Sequence, residues 1–472
     1  MIRRVSLGAT IEAALALTVF LFACGSSSLV DATRVGHTTR WVALFAVCGL
    51  ALLAAWVTVR RTGMPWRALR FAGFPAAFLA IALQSATWSA RPRLTFERAM
   101  SLAVLLAAAI ALAIASRVDL DLRRRVFVGL ALGASAVGVA GVLMAVAGMP
   151  ESRQPGGGRN PWRFQGFGQN PNTVAVLAAV ALPIIAWLGL TAVSPRARGA
   201  WGASFLVLLG TTVASQSRGG LIGAFVGAAL VLGLLIERWP RKAVAIAALG
   251  AVIAFGVVLR QVTTQAPPPF VSAVQRGVNP NVTVGKGGAT GKRGHHGKKS
   301  NHRRGVTAGQ LPQRTDEIGN PGLSTHNVTV IGSGRIAAWL GALKLIRDRP
   351  LLGYGFGTEE IVFVDRWYFF QGARTENSVL GILLQMGLIG LLPLLAFLMV
   401  LVRTGARAFR SAEEAVRLQA VAPLGVLAAA VVLVFVQSYV YSVGNVATVT
   451  VWVALFLLGA GVAGEECDAA GS

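Results

Sequence analysis

Apolar runs of about 17–25 residues, the length that crosses roughly 30 Å of hydrocarbon, recur along almost the whole chain. Twelve can be marked: 8–24, 41–58, 71–87, 98–115, 126–148, 173–192, 200–214, 220–236, 242–260, 377–402, 419–440 and 444–463. Each run predicts a membrane-crossing helix, and the short pair 200–214 and 220–236 predicts a helical hairpin. The pattern breaks once, over 261–376, which is too long and too polar for a connector inside a bundle. The chain therefore divides into an N-terminal bundle of about nine helices (1–260), a large loop (261–376) and a C-terminal bundle of about three helices (377–472). The fold class is an all-α integral membrane protein with about twelve transmembrane helices.

The loop itself has two parts. From 265 to 328 it is rich in Gly, Pro, Lys, Arg and Asn, a composition that cannot bury a core and predicts a disordered basic tether. From 333 to 376 apolar positions return at helical spacing, with Ile336, Trp339, Leu340, Leu343 and Ile346 set against Arg335, Lys344 and Arg347. This predicts an ordered amphipathic helix suited to the membrane surface. Pro350, Gly353, Gly355 and Gly357 end it in a turn, and the patch Trp367-Tyr-Phe-Phe has the character of an interfacial belt.

Composition sharpens the membrane reading: 54% of the 472 residues are hydrophobic and 13% charged, with a mean hydropathy of +0.63. The arginines fix an expected orientation. With Met1-Ile-Arg-Arg in the cytoplasm, the short loops on that side carry Arg60, Arg61, Arg67 and Arg70, then Arg117 and Arg123 to Arg125, then Arg196 and Arg198, then Arg238, Arg241 and Lys242, and last Arg403, Arg407, Arg410 and Arg417. Every inside loop is basic, as the positive-inside rule requires, and both termini are expected in the cytoplasm with the large loop outside. The net charge of +25 is mostly this signal plus the basic loop. No groove-reading motif accompanies it, so nucleic acid is excluded as a partner, and membrane lipids or lipid-linked phosphates fit instead. Three cysteines make neither a disulfide framework nor a metal motif, and no metal or cofactor is expected. Leu21-Phe22-Ala23-Cys24 reads as a plain first helix rather than a lipoprotein box. Asp119-Leu-Asp121, which matches the Asp-x-Asp of nucleotide-sugar transferases, lies in a short turn and reads as chance.

Ionisable residues are scarce within the twelve runs and none holds a histidine, which argues against an ion-coupled pump. Polar residues collect on the side expected to face outward: Arg163 to Asn172 before the sixth run, Ser215-Gln-Ser-Arg-Gly-Gly220 between the seventh and eighth, Arg335, and Thr375-Glu376-Asn377 before the tenth. Arginines converging at one membrane face suit a diphosphate, which guanidinium forks bind bidentately. A neighbouring carboxylate suits a general base.

Taken together these segments resemble the bacterial O-antigen ligase and polymerase superfamily. The resemblance rests on Gly166-Phe-Gly-Gln-Asn-Pro-Asn-Thr-Val-Ala entering a span and on the Ser217-Arg218-Gly219 turn. It rests equally on Gly334-Arg335 with Trp339 and Asp348 to Gly357, and on Glu376-Asn-Ser-Val-Leu followed by Gly387-Leu-Ile-Gly-Leu391. It implies a metal-independent membrane glycosyltransferase of the C type in the bacterial cytoplasmic membrane. Such enzymes move a glycan from an undecaprenyl-diphosphate carrier to a glycan, lipid or protein acceptor hydroxyl on the outer face. Carried over, the resemblance makes Arg218 and Arg335 the groups that neutralise the leaving diphosphate, and Glu376 the base where the family places a histidine. Arg163, Asn170, Asn172, Ser217, Asn377 and Trp339 would bind substrate. The pair His326-Asn327 lies off that motif and reads as loop. A polymerase of the same superfamily, a lipid-linked oligosaccharide flippase and a non-catalytic relative in envelope assembly are the alternatives the sequence leaves open.

Overall fold

The computed structural model describes residues 6–154, 162–236, 239–263, 335–366 and 374–461, all within one compact unit formed by Met1–Gln265 and Gly332–Ser472. The expected tether, the pair His326-Asn327 and the Trp367 to Phe370 patch lie outside the described residues.

The helices are α1 Leu7–Cys24, α2 Val30–Thr62, α3 Gly73–Gln84, α4 Pro92–Ala115, α5 Leu120–Val146, α6 Pro171–Leu190, α7 Pro195–Ser215, α8 Arg218–Leu235 and α9 Trp239–Thr263. After the loop come α10 Arg335–Asp348, α11 Glu359–Arg366, α12 Ser378–Arg410, α13 Glu414–Val434 and α14 Thr448–Ala460. Twelve of these fall on the twelve apolar runs, and eight are long and apolar enough to cross a membrane. The protein is an all-α membrane protein. Its described strands are two short antiparallel ones, β1 Arg153–Gln154 and β2 Arg163–Phe164.

Two boundaries differ from the expectation in ways that matter. The second apolar run begins at 41, but α2 begins at Val30, so the predicted loop 25–40 is mostly helix and carries His37 and Arg40 into it. Helix formation follows backbone hydrogen bonding, whereas the run marks only where lipid-facing residues begin. The expected hairpin also opens: α7 packs on α6, while α8 packs on α13 and α6.

Close packing rests on small residues where lipid supplies no hydrophobic drive between helices. Gly129 and Gly133 of α5, one turn apart, lie so near α1 that a Cβ at Gly129 would sit 2.5 Å from the Glu12 carbonyl and one at Gly133 2.7 Å from the Ala16 carbonyl.

The arginine-rich end is more than a topology signal. Arg123, 1% exposed, donates Nη1 to the Gly461 carbonyl and Nη2 to the Leu457 carbonyl, each at 2.9 Å, capping the C-terminus of α14. Arg125 pairs with Asp121 and with Glu12 of α1. Asp119 caps α5 by accepting from the Leu122 amide at 2.9 Å, so both carboxylates of the Asp-x-Asp are engaged locally. Arg123→Ala leaves two helix-end carbonyls without their charged donor and is expected to cost about 2–4 kcal/mol. Thermal unfolding in detergent, followed beside a wild-type control, checks this; an unchanged midpoint contradicts the capping role.

A second feature escaped the hydropathy pattern entirely. α12 is broken at Gly387, which has φ 60 and ψ −161. The break frees backbone groups that cannot stay unsatisfied in an apolar setting. The segment after α10 supplies them like a short strand. The Leu388 and Ile389 amides donate to the Pro350 and Leu351 carbonyls at 2.9 and 3.3 Å. The Tyr354 and Gly355 amides donate to the Leu384 and Gln385 carbonyls at 3.0 and 2.8 Å. A Cβ on Gly353, whose φ is +62, would overlap the Gln385 backbone. The Pro-Leu-Leu-Gly-x-Gly-x-Gly motif is thus the mate of the broken helix. α10 then docks through Ala342 and Leu345 onto Tyr354, Val362 and Leu384, with Trp339 packed alongside.

Candidate functional site

The segments singled out by sequence gather at one end of the bundle, opposite the arginine-rich end. Arg163, on β2, is fixed by two contacts: its Nε donates to the Ser215 carbonyl and its Nη2 to Asn172 Oδ1, both at 2.8 Å. Asn170 caps α6, accepting from the Asn172 amide at 2.9 Å. The stretch 163–173 is thereby tied to the end of α7.

α7 stops at Gln216, which takes the left-handed conformation at φ 54. Ser217 is buried and its amide donates to Ser215 Oγ at 3.2 Å. Arg218 opens α8 and is exposed. The start of α8 presses on the loop after α13, since a Cβ at Gly219 would overlap Val436. That loop also receives Asn377: its Nδ2 donates to the Phe435 carbonyl at 3.3 Å, and its amide donates to Ser438 Oγ at 3.2 Å. Asn377 Oδ1 caps α12, accepting from the Val379 and Leu380 amides. So 435–438 bridges the Ser217-Arg218 turn and the Glu376-Asn377 motif.

Glu376 is the other non-glycine residue with positive φ among the described residues, at 52. A glutamate held in the left-handed region is sparsely populated and persists where the surroundings over-determine it. Both such residues, Gln216 and Glu376, sit next to the polar motifs read from sequence. Arg335 begins α10, and its side chain lies outside the described residues.

Next to Glu376 lies a network that sequence reading missed. Glu359, 3% exposed, opens α11. Its Oε1 accepts from the Thr375 amide at 2.7 Å, from Thr375 Oγ1 at 2.8 Å and from Ser438 Oγ at 3.2 Å, and its Oε2 accepts from the Tyr441 hydroxyl. Glu360 accepts from Arg374 Nε at 2.8 Å and pairs with Arg98 of α4 at 3.3 Å. Arg98 also donates to the Gly357 carbonyl, so α4 is tied to the glycine-rich segment.

These groups shift one another. Burial raises the Glu360 carboxyl, but the charge and hydrogen bonds of Arg374, then those of Arg98, outweigh it and hold its pKa below the ordinary carboxylate value. Burial acts against the Arg374 charge, and Glu360, then Glu359, overcome it and raise the guanidinium. Burial first, then the Glu359 charge and hydrogen bond, push the Tyr441 hydroxyl well up. The signs decide the pH behaviour. Glu360, depressed, contributes stability that is present above its unfolded pKa of about 4.3 and lost as pH falls through the folded value. Tyr441, raised, contributes stability that is full below about pH 10 and lost above it. Melting temperature is therefore expected to hold steady from about pH 5 to 9. Glu360→Gln is expected to flatten the acid limb, and an acid limb unchanged in that variant contradicts the assignment.

Glu359, Glu360, Arg98, Arg374 and Tyr441 line a cleft of about 550 Å³, together with Arg40 and Trp41 of α2, Glu97, Gln385 and Thr173. Thr173 adjoins Asn172, and Arg374 lies two residues before Glu376, so the cleft lining neighbours two of the segments read from sequence along the chain, while Arg163, Arg218 and Glu376 themselves do not line it. A weak signal existed for part of it. Thr358-Glu359-Glu360 follows the last glycine of the motif as the start of a helix, with acidic residues in its first turn. Nothing local marked Arg40 or Arg98, which reach the cleft from helices far away in the chain.

Residues 203–395 match the family model described as O-antigen ligase. The matched stretch runs from within α7 through the first half of α12 and contains Ser217-Arg218, α10, the glycine-rich segment and Glu376-Asn377. No curated protein matches the chain.

Proposed function

We propose, from the premise that this is an O-antigen ligase-family membrane protein, that it transfers a glycan from an undecaprenyl-diphosphate carrier to an acceptor hydroxyl on the outer face of the bacterial cytoplasmic membrane. The observation that carries this reading is the convergence, at one end of the bundle, of the Ser217-Arg218 turn and the Glu376-Asn377 motif on the same 435–438 loop. The arginine-rich opposite end faces the cytoplasm under the positive-inside rule, which turns the cleft outward.

The chemistry is one displacement. The acceptor oxygen attacks the anomeric carbon of the donor sugar, the bond from that carbon to the carrier diphosphate breaks, and the hydroxyl proton passes to the Glu376 carboxylate. Negative charge grows on the departing diphosphate, where Arg218 and Arg335 offset it. Arg163, already bound to Ser215 and Asn172, holds the wall against which the diphosphate rests. Glu376→Gln keeps the shape and removes the proton acceptor. Transfer of labelled glycan in membrane vesicles is expected to fall about 10²–10⁴-fold, and wild-type transfer by this variant sinks the assignment. The glycan profile of a deletion strain separates the two chemistries of the superfamily: loss of all long chains means polymerisation, and accumulation of carrier-linked long chains means ligation.

A further inference from the structure

We propose that the 550 Å³ cleft is an acceptor site for an acidic saccharide, and that Arg40 is the residue that reads its carboxylate or phosphate. The proposal deepens the transferase reading and rests on it for the word acceptor.

The charges of the cleft carry the argument. Its three carboxylates are each engaged by the protein. Glu97 pairs with Arg93 at 2.8 Å, Glu360 pairs with Arg98 and Arg374, and Glu359 accepts from Thr375, Ser438 and Tyr441. Arg98 and Arg374 thus share the Glu360 carboxylate. Arg40, which lines the same cleft, has no carboxylate partner among the described residues, and its Nε is buried without a hydrogen bond. A half-buried guanidinium without a counter-charge is costly to keep, and a bound anion removes the cost.

The side chain is nonetheless held in place. Its guanidinium lies 5.1 Å from the Trp41 ring centroid and 5.9 Å from that of Phe22, and its Nη2 meets His37 Nδ1 at 3.4 Å. It packs on Gly25, where a Cβ would come 2.8 Å from Nη1, and it reaches toward the 441–445 loop, where a Cβ on Gly444 would stand 3.9 Å from Nη1. A fixed fork above an aromatic ring, in a cleft whose carboxylates are already engaged by the protein, is the equipment for binding one anionic group. The volume lies within the range of small-ligand pockets and suits one or two sugar rings.

The test uses the full chain in nanodiscs and two labelled probes, a glucuronyl-glucose disaccharide and its methyl ester. The acid is expected to bind about tenfold or more tightly than the ester. Arg40→Met is expected to remove that difference and leave ester binding unchanged. Gly444→Asp, which places a carboxylate beside an intact Arg40, is expected to do the same, so a folding defect in one variant does not decide the outcome. Equal binding of both probes by the wild type, or a preference kept in both variants, overturns the proposal. Displacement of the acid by inorganic diphosphate far more readily than by glucuronate, lost in Arg40→Met, assigns Arg40 to the carrier and also overturns it. Acid preference without any glycan transfer refutes the transferase reading alone, and transfer without acid preference refutes the saccharide site alone.

Discussion

Arg218→Ala is expected to lower glycan transfer about 10²–10³-fold, the scale on which one donor to a developing oxyanion counts. The reason is its state in the free protein. Arg218 is exposed at the first position of α8 and makes no ion pair or hydrogen bond among the described residues. Its removal therefore breaks no contact among the described residues, and the expected loss reads what it does for a ligand. Arg163 is the instructive contrast, since its fork already holds the Ser215 carbonyl and Asn172. Arg163→Ala is expected to loosen the 163–173 stretch and lower the melting temperature along with activity. Arg218→Lys is expected to recover only part of the loss, because a point charge does not reproduce a bidentate fork. Rates measured in vesicles with carrier-linked glycan, beside melting curves of the same variants, separate the two cases. Wild-type transfer by Arg218→Ala refutes the diphosphate role.

The membrane helices were legible in the sequence because an apolar run of the right length has few other uses. Sites where a helix outruns its apolar stretch were not. Arg40 lay one residue before the second run and read as a loop residue, yet α2 had already been helical for ten residues. The polar motifs were legible as motifs because Gly, Asn, Ser and Arg interrupt apolar sequence so conspicuously. What each atom does was not. Asn377 looked like a ligand group, and its Oδ1 caps α12 while its Nδ2 holds the Phe435 carbonyl. Arg123 looked like one of a row of cytoplasmic charges and caps α14 from a buried position. The cleft was least visible of all. Arg98 and Glu360 stand 262 residues apart, and Tyr441 and Glu359 stand 82 apart. Pairings of that range are set by how helices pack, which no local pattern encodes.

Gly387→Ala is expected to be the most destabilising single change near the site. At φ 60 and ψ −161 the backbone lies in a region open almost only to glycine, and a Cβ there would overlap the Leu351 carbonyl. No relaxation of a single side chain relieves this, because the obstacle is backbone. The variant has two routes. It straightens α12, which strands the Pro350 and Leu351 carbonyls and the Tyr354 and Gly355 amides, or it keeps the kink and bears the strain. Either is expected to cost about 3–5 kcal/mol. The first route has a distinct consequence, because the same segment continues into Gly357, whose amide donates to Gln385 Oε1 at 2.6 Å, and into Glu359 and Glu360. Straightening α12 therefore pulls one wall off the cleft and releases α10, exposing 335–366 to protease while the rest of the bundle stays protected. Gly49→Ala, with nothing within 4 Å of the added carbon, is the control, and its midpoint is expected to stay within a degree or two of wild type. Melting in detergent and timed proteolysis of both variants read the effect. A Gly387→Ala protein that melts with the control and resists cleavage at 335–366 contradicts the interlock.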